Sequence, residues 1–73
     1  IYIVDADRHL IGFCELKDLI LAPPYETLAE IMREDVLSIP VDMDVEDAAQ
    51  SLAQYDVIAM PVVDSEKRLV GII

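Results

Sequence analysis

Residues 61–73 read PVVDSEKRLVGII and repeat the pattern of residues 2–14, YIVDADRHLIGFC. The two copies are offset by 59 positions, as Asp5 and Asp64 show. The matching pairs are Val4/Val63, Asp5/Asp64, Leu10/Leu69 and Gly12/Gly71, with Ile3/Val62, Asp7/Glu66, Arg8/Lys67 and Ile11/Val70 chemically similar. Such a repeat indicates a duplicated supersecondary unit. The first copy continues into Glu15–Asp18 whereas the second stops at Ile73, so we expect the chain to lack flanking parts of both.

Each copy predicts an antiparallel β-hairpin. Tyr2–Val4 and Leu10–Cys14 are short β-branched apolar runs on either side of a polar turn, and 61–64 and 69–73 repeat the arrangement. Gly12 falls within a predicted strand, which suggests that another backbone approaches closely at that position.

Helical patterns connect the two hairpins. We predict helices over Glu15–Ala22, Thr27–Met32 and Val45–Tyr55, and a short edge strand within Val36–Val41. Asp44 is a suitable N-cap for the longest helix. Its buried stripe is predicted to be Val45, Ala48, Ala49 and Leu52.

Composition narrows the class of function. The net charge is −10, from 15 Asp and Glu against 5 Lys and Arg, and this argues against nucleic acid or anionic lipid, which need a basic face. Divalent cations or a basic partner surface suit an acidic chain better as ligands. The simpler interpretation is that the acidity only confers solubility. With 55% hydrophobic residues in only 73, the chain alone would expose apolar surface, so we expect a partner. Cys14 is the only cysteine, so no intrachain disulfide is possible.

Several phrases resemble the CBS module, named for cystathionine β-synthase: Met60–Asp64 with Leu69–Ile73, Val4–Asp5 with Leu10–Gly12 and Asp18–Ile20, and Ser38–Val41. The resemblance covers essentially the whole chain. It implies an α/β fold of the tandem CBS (Bateman) type, with small sheets and antiparallel hairpins packed against helices. It also implies that 1–32 form the second half of a first module and a linker, and that 33–73 form most of a second module, truncated at its C-terminal helix.

The stretches Leu16–Pro23, Glu30–Met32, Pro40–Glu46 and Tyr55–Asp56 look most like the cytosolic domain of MgtE-type magnesium transporters. In that family the module pair senses intracellular Mg²⁺ and shuts the pore, and some members bind ATP. The resemblance therefore implies a regulatory domain, not an enzyme, on the cytoplasmic side of the cell membrane. Its implied ligands are Mg²⁺ and ATP or another adenine nucleotide. Its implied partners are the rest of the same transporter and a second copy, in a homodimer formed through the CBS modules.

Carboxylates crowd both ends of the longest predicted helix. Mg²⁺ prefers oxygen ligands and retains waters, so one or two carboxylates per ion suffice. The resemblance implies that Asp44, Glu46 and Asp56 are regulatory metal ligands. Spacing alone favours a simpler interpretation, in which Asp44 is a cap, Glu46 interacts with the helix dipole and Asp56 is a solvated turn residue. The two roles are compatible.

A nucleotide motif of the family ends in an acidic residue that accepts hydrogen bonds from the ribose, and Asp18 stands at that position. Glu15 replaces the usual hydroxyl residue, which adds a negative charge beside a would-be phosphate. Lys17 could meet a phosphate, and Ala53 and Val57 match positions that line the family's nucleotide pocket. The alternative is that Asp18 only caps the helix after the hairpin.

Two other functions compete with this prediction. The chain could be an adenine-nucleotide-sensing CBS pair that regulates another transporter, channel or enzyme, with Asp18 as the working residue. A metal-dependent hydrolase using paired carboxylates is disfavoured, because the sequence offers no nucleophile–base pair and we expect no catalytic residue.

Overall fold

The computed structural model describes residues 1–73 as two small sheets and three helices. The elements are β1 Tyr2–Val4, β2 Leu10–Phe13, α1 Leu16–Leu21, α2 Leu28–Ile31, β3 Ile39–Pro40, α3 Val45–Gln54, β4 Pro61–Val63 and β5 Leu69–Ile72. This order confirms the α/β class and the predicted succession of strands and helices. None of the three helices has the length and hydrophobicity that a membrane span requires.

The two hairpins have the same internal geometry. β1 pairs with β2, and β4 with β5, both antiparallel, and the register shifts at the same place in each, after Ile3 and after Val62. Offset by 59 positions, these residues are the counterparts of one another. The sequence repeat is therefore a structural repeat that extends to the irregularity of its strands.

The short strand β3 lies at the edge of the second sheet, beside β4. Ile39 and Pro40 pair in parallel with Val62 and Val63. Proline lacks the N–H needed by a central strand, so an edge is the position open to Pro40. The prediction of an edge strand within Val36–Val41 is confirmed, but only two residues of it form the strand.

The two hairpin turns contact each other through their backbones. Arg8 and Lys67 have positive φ angles of 69° and 68°, as expected after a type I turn in a hairpin. Leu10 N donates to Lys67 O at 2.9 Å, and Leu69 N donates to Arg8 O at 2.8 Å. Because both donors and both acceptors are counterparts in the repeat, this pair of bonds has pseudo-twofold symmetry.

Gly12 is required by a close approach, as predicted. A Cβ added to it would lie 2.6 Å from the sulfur of Met32 and 2.9 Å from the carbonyl oxygen of Arg33. Met32 and Arg33 are held against β2 because Phe13 N donates to Arg33 O at 2.9 Å and Arg33 N donates to Phe13 O at 2.8 Å. Its counterpart Gly71 has nothing within 4 Å of an added Cβ.

The core is small and lies between α3 and the second sheet. Its buried residues Ile39, Ala48 and Met60 are packed by Met43 and Leu52. The predicted stripe of α3 is therefore only partly buried, since Val45 is 87% exposed and Ala49 is also exposed. These two residues instead line an open apolar groove between α3 and the sheet.

Much apolar surface stays uncovered because the molecule is thin, measuring 42 × 27 × 15 Å. On α1, Leu16 and Ile20 are 65% and 72% exposed. This agrees with the expectation that the chain alone exposes apolar surface.

Candidate functional site

A cavity of about 450 Å³ lies between the first hairpin, the connection after α2 and the loop before β4. Its size falls in the range of small-molecule sites, which are mostly apolar with a few polar groups. The lining residues are Tyr2, Phe13, Asp35, Val36, Leu37, Val57, Ala59, Met60 and Pro61. Asp35 is the only charged residue among them. The cavity is built by both copies of the repeat, so neither copy alone forms it.

Two aromatic rings form one wall of the cavity. Tyr2 and Phe13 are directly opposed in the β1–β2 pair. Cross-strand aromatic neighbours have side chains on the same face of the sheet. Such a wall is suited to stack against a planar ring of a ligand.

A cluster of four charged side chains lies beside this wall. The guanidinium of Arg33 is 5.8 Å from the centroid of the Phe13 ring, 3.8 Å from Glu15 Oε1 and 3.8 Å from Asp18 Oδ1. Lys17 Nζ approaches the other carboxylate oxygen of Glu15, Oε2, at 3.4 Å. Both carboxylates therefore have basic partners within the chain.

The carboxylate of Asp18 also has a structural role. Its Oδ2 accepts a hydrogen bond from Glu15 N at 2.9 Å, and Glu15 is the N-cap of α1. This is the capping interaction that sequence reasoning offered as an alternative to ribose binding. The other oxygen, Oδ1, faces Arg33 and makes no hydrogen bond, so capping leaves part of the carboxylate available.

The four residues predicted to bind a nucleotide do not all meet the cavity. Val57 lines it directly, and Asp18 is connected to it through Arg33 and Phe13. Lys17 is an exposed neighbour of Glu15, with 67% of its side chain accessible. Ala53 is exposed on α3 and is not part of the lining.

The three predicted metal ligands lie at opposite ends of α3. Asp44 is the N-cap and Glu46 lies in the first turn, whereas Asp56 follows the C-terminal end. At 1.5 Å per residue, the two ends are about 18 Å apart, far beyond the ~2.1 Å ligand distance of Mg²⁺. The chain therefore does not bring the three carboxylates together around a single ion.

All three of these carboxylates are exposed, and Asp44 makes no capping bond through its side chain. None of the ion pairs in the chain involves Asp44, Glu46 or Asp56. The position of Asp44 as N-cap is confirmed, but its carboxylate is not used for capping.

Asp56 has an unfavourable backbone conformation, with φ of 53°. Asp56 N donates to Ala53 O at 3.2 Å, and Val57 N donates to Leu52 O at 3.1 Å, which is the hydrogen-bond pattern of a Schellman motif. Glycine is the usual residue at this left-handed position. An aspartate there also places a negative charge at the negative end of the helix dipole.

The counterpart carboxylates Asp5 and Asp64 serve the hairpin turns. Asp5 Oδ1 accepts from His9 N and Asp7 N, both at 2.9 Å, and its Oδ2 lies 3.0 Å from His9 Nδ1. The His9 backbone N–H, above all, holds the pKa of Asp5 below its ordinary value. The backbone N–H of Arg68, first among several donors and charges, lowers the pKa of Asp64.

Ligand atoms of Asp5, Asp7 and His9 lie within 4.8 Å of one another. The side chain of His9 is 35% accessible. The hydrogen bonds account for the cluster as part of the turn.

Sequence reasoning missed Arg33 and the aromatic wall. Arg33 lies 20 positions after Phe13, and their pairing depends on a long-range bridge that no local pattern reveals. The one available signal was Glu15, an acidic residue at a position where the family motif has a hydroxyl. An acidic residue beside Asp18 calls for a basic partner, and the chain has only 5 Lys and Arg to offer.

Comparison with known proteins identifies relatives of the whole chain. The sequence profile described as "CBS domain" matches residues 28–73. Magnesium transporter MgtE of Thermus thermophilus is 47% identical over 73 residues, and that of Enterococcus faecalis is 41% identical over 73 residues. Each alignment covers 100% of this chain and 16% of the transporter, so the chain spans about one sixth of these relatives.

Solved structures agree with this relationship. The cytosolic domain of the Mg²⁺ channel MgtE in complex with ATP superposes with a TM-score of 0.88 at 46% identity, covering 100% of this chain and 29% of that one. A CBS domain pair in complex with 5-methylthioadenosine and S-adenosyl-L-methionine has a TM-score of 0.72 at 33% identity, covering 100% of this chain and 60% of that one. The expected tandem CBS fold is thus confirmed.

Proposed function

The chain belongs to the CBS domain family, and we propose that it is a cytosolic regulatory domain of a magnesium transporter, which senses intracellular Mg²⁺ and gates ion transport. The observation that carries this proposal is the set of exposed carboxylates Asp44, Glu46 and Asp56, which have no ion-pair partner in the chain. Their placement on a fold similar to MgtE cytosolic domains supports a metal role. The proposed domain lies on the cytoplasmic side of the membrane and acts by binding, not by catalysis.

The separation of these carboxylates suggests how Mg²⁺ would act. Because one ion cannot reach both ends of α3, each end would share an ion with another part of the transporter or with the second copy of a homodimer. In a chain of net charge −10, approach of further acidic groups is opposed by repulsion, which a bridging cation relieves. Mg²⁺ would therefore favour the arrangement in which the domains are close, and shift the population toward it.

The strained position of Asp56 supports the same proposal. A residue kept in a left-handed conformation that glycine would adopt more easily is a reason to suspect function rather than stability. A cation bound at Asp56 would remove the unfavourable interaction of its charge with the end of α3.

An adenine nucleotide is the second proposed ligand, and the cavity supports it. The aromatic wall of Tyr2 and Phe13 is suited to a planar base, and Val57 contributes to the lining. Asp18 retains one carboxylate oxygen that could accept from a ribose hydroxyl. If this ligand alone controls the protein, the host would be another transporter, channel or enzyme, which is the competing proposal.

The test is a thermal melt of the full-length protein during titration with Mg²⁺ at constant ionic strength. Preferential binding to the folded, closed state raises the melting temperature, by an amount that corresponds to about 2.7 kcal/mol at a hundredfold excess over Kd. Asp44→Asn and Asp56→Asn should each reduce the response. Glu66→Gln removes an equal charge that is already paired with Arg68 and should leave the response intact.

A response that is unspecific and unchanged in the variants would contradict the proposal. If Mg²⁺, Ca²⁺ and added monovalent salt raise the melting temperature alike, and the Asp44 and Asp56 variants respond as the unmodified protein does, these residues do not sense Mg²⁺.

A further inference from the structure

The basic residues of the chain are few, and their distribution limits what the cavity can bind. Of the 5 Lys and Arg, three lie at the two hairpin turns, Arg8, Lys67 and Arg68. Lys17 and Arg33 are the remaining two, and only Arg33 contacts a residue of the cavity wall. An anionic group on a ligand would need these two cations, because no basic residue lines the cavity itself.

Both cations are already engaged by Glu15. One of its carboxylate oxygens is 3.4 Å from Lys17 Nζ and the other is 3.8 Å from Arg33. A carboxylate held between two cations makes the contacts that an anionic ligand phosphate would need, because both groups present negatively charged oxygen acceptors. Arg33 is further shared with Asp18, while Asp35 adds another negative charge on the lining.

We propose that Glu15 sets the charge preference of the cavity: its carboxylate occupies the cations that a phosphate would require, so that the site takes an uncharged adenine nucleoside in preference to a nucleoside triphosphate. This inference rests on the proposed binding of an adenine ligand in the cavity. The base and ribose meet the aromatic wall and Asp18, which Glu15 does not obstruct. A triphosphate must displace Glu15 or place its charges against the local excess of acid.

The side chain of Glu15 is about half exposed, with 49% of its surface accessible, so Glu15→Gln changes charge with little effect on packing. Glu66→Gln is the matched control, because Glu66 is paired with Arg68 at a hairpin turn and does not line the cavity. Arg33→Gln removes the cation that joins the charged cluster to the cavity wall.

Isothermal titration calorimetry of the full-length protein with adenosine and with ATP tests the proposal. Chelator is present, so that the proposed Mg²⁺ sites do not contribute and ATP keeps its full charge. We expect the unmodified protein to bind adenosine at least as tightly as ATP. Removing one unit charge near several phosphates should strengthen ATP binding in Glu15→Gln by about three- to tenfold, and change adenosine binding by less than about twofold. Arg33→Gln should weaken ATP binding, and Glu66→Gln should change neither ligand.

The outcomes separate this inference from the proposal on which it rests. If both ligands bind and the ratio of their affinities is the same in Glu15→Gln as in the unmodified protein, the role of Glu15 is wrong and an adenine site remains. If neither adenosine nor ATP binds to any variant, the adenine ligand and the role of Glu15 are both wrong.

Discussion

Replacing Gly12 by alanine should destabilise the protein, although the same change at its counterpart Gly71 should not. Neither glycine has a positive φ, so the difference depends on space and not on backbone conformation. The added Cβ at Gly12 would lie 2.6 Å from the sulfur of Met32 and 2.9 Å from Arg33 O, both closer than non-bonded atoms tolerate. At Gly71 the same atom meets nothing within 4 Å.

The cost of Gly12→Ala in unfolding free energy depends on which of the neighbouring atoms can move away from the added Cβ. The thioether of Met32 can rotate away, but Arg33 O accepts a hydrogen bond from Phe13 N at 2.9 Å and can recede only by straining that bridge. Overpacking of this kind costs about 1–3 kcal/mol. Gly71→Ala should be neutral or stabilising by up to about 1 kcal/mol, because alanine restricts the unfolded chain more than glycine does.

Urea denaturation followed by circular dichroism measures both variants against the unmodified protein. Each kcal/mol corresponds to about 4–8 °C in the melting temperature of a domain of this size, so a thermal melt gives an independent value. If the two variants differ by less than about 0.5 kcal/mol in unfolding free energy, the packing of Met32 and Arg33 over the first hairpin is not as described.

Three further predictions concern other parts of the structure. In the presence of chelator, Asp56→Gly should raise the unfolding free energy by about 1 kcal/mol, because it relieves the left-handed conformation and removes the charge at the helix end. Asp56→Asn should raise it by less. A loss of stability in thermal melts of either variant would contradict this. The lowered pKa values of Asp5 and Asp64 stabilise the fold above about pH 4, and this stability is lost as the pH falls through the lowered values. The double variant Asp5→Asn/Asp64→Asn should therefore lose less stability on acidification than the unmodified protein does. Urea midpoints measured between about pH 6 and pH 2 test this. Ile39→Ala, at a side chain 2% exposed, should cost about 2–4 kcal/mol by urea denaturation. Val41→Ala, 59% exposed, should cost less than about 0.5 kcal/mol, and equal costs would place the core elsewhere.

The repeat and the local patterns were sufficient to predict the elements of the fold. Hydrophobic alternation, turn residues and the N-cap Asp44 are local signals, and each reported on the element that contains it. The pairing of the two turns through Leu10 and Leu69 could not be predicted, because it depends on backbone groups that every residue possesses.

Burial was harder to predict than secondary structure. Val45 lies on the apolar stripe of α3 yet is 87% exposed, because no other element of the chain packs over this part of the helix. A helical pattern shows which face is apolar, but it does not show whether another element covers that face.

The candidate site was predicted in part, and for a similar reason. Val57 reaches the cavity and Asp18 lies near it, but Arg33 contributes through a bridge to Phe13 that spans 20 positions of sequence. Asp44 and Glu46 both lie at the N-terminal end of α3, whereas Asp56 is separated from them by the length of that helix.

Regulation by Mg²⁺ is tested most directly by measuring Mg²⁺ flux through the full-length protein in liposomes while the Mg²⁺ concentration on the cytoplasmic side is varied. Flux should fall as that concentration rises, and the midpoint of inhibition should move to higher Mg²⁺ in Asp44→Asn and Asp56→Asn but not in Glu66→Gln. A flux that is independent of cytoplasmic Mg²⁺, or a midpoint that is the same in all four proteins, would contradict the role assigned to these carboxylates.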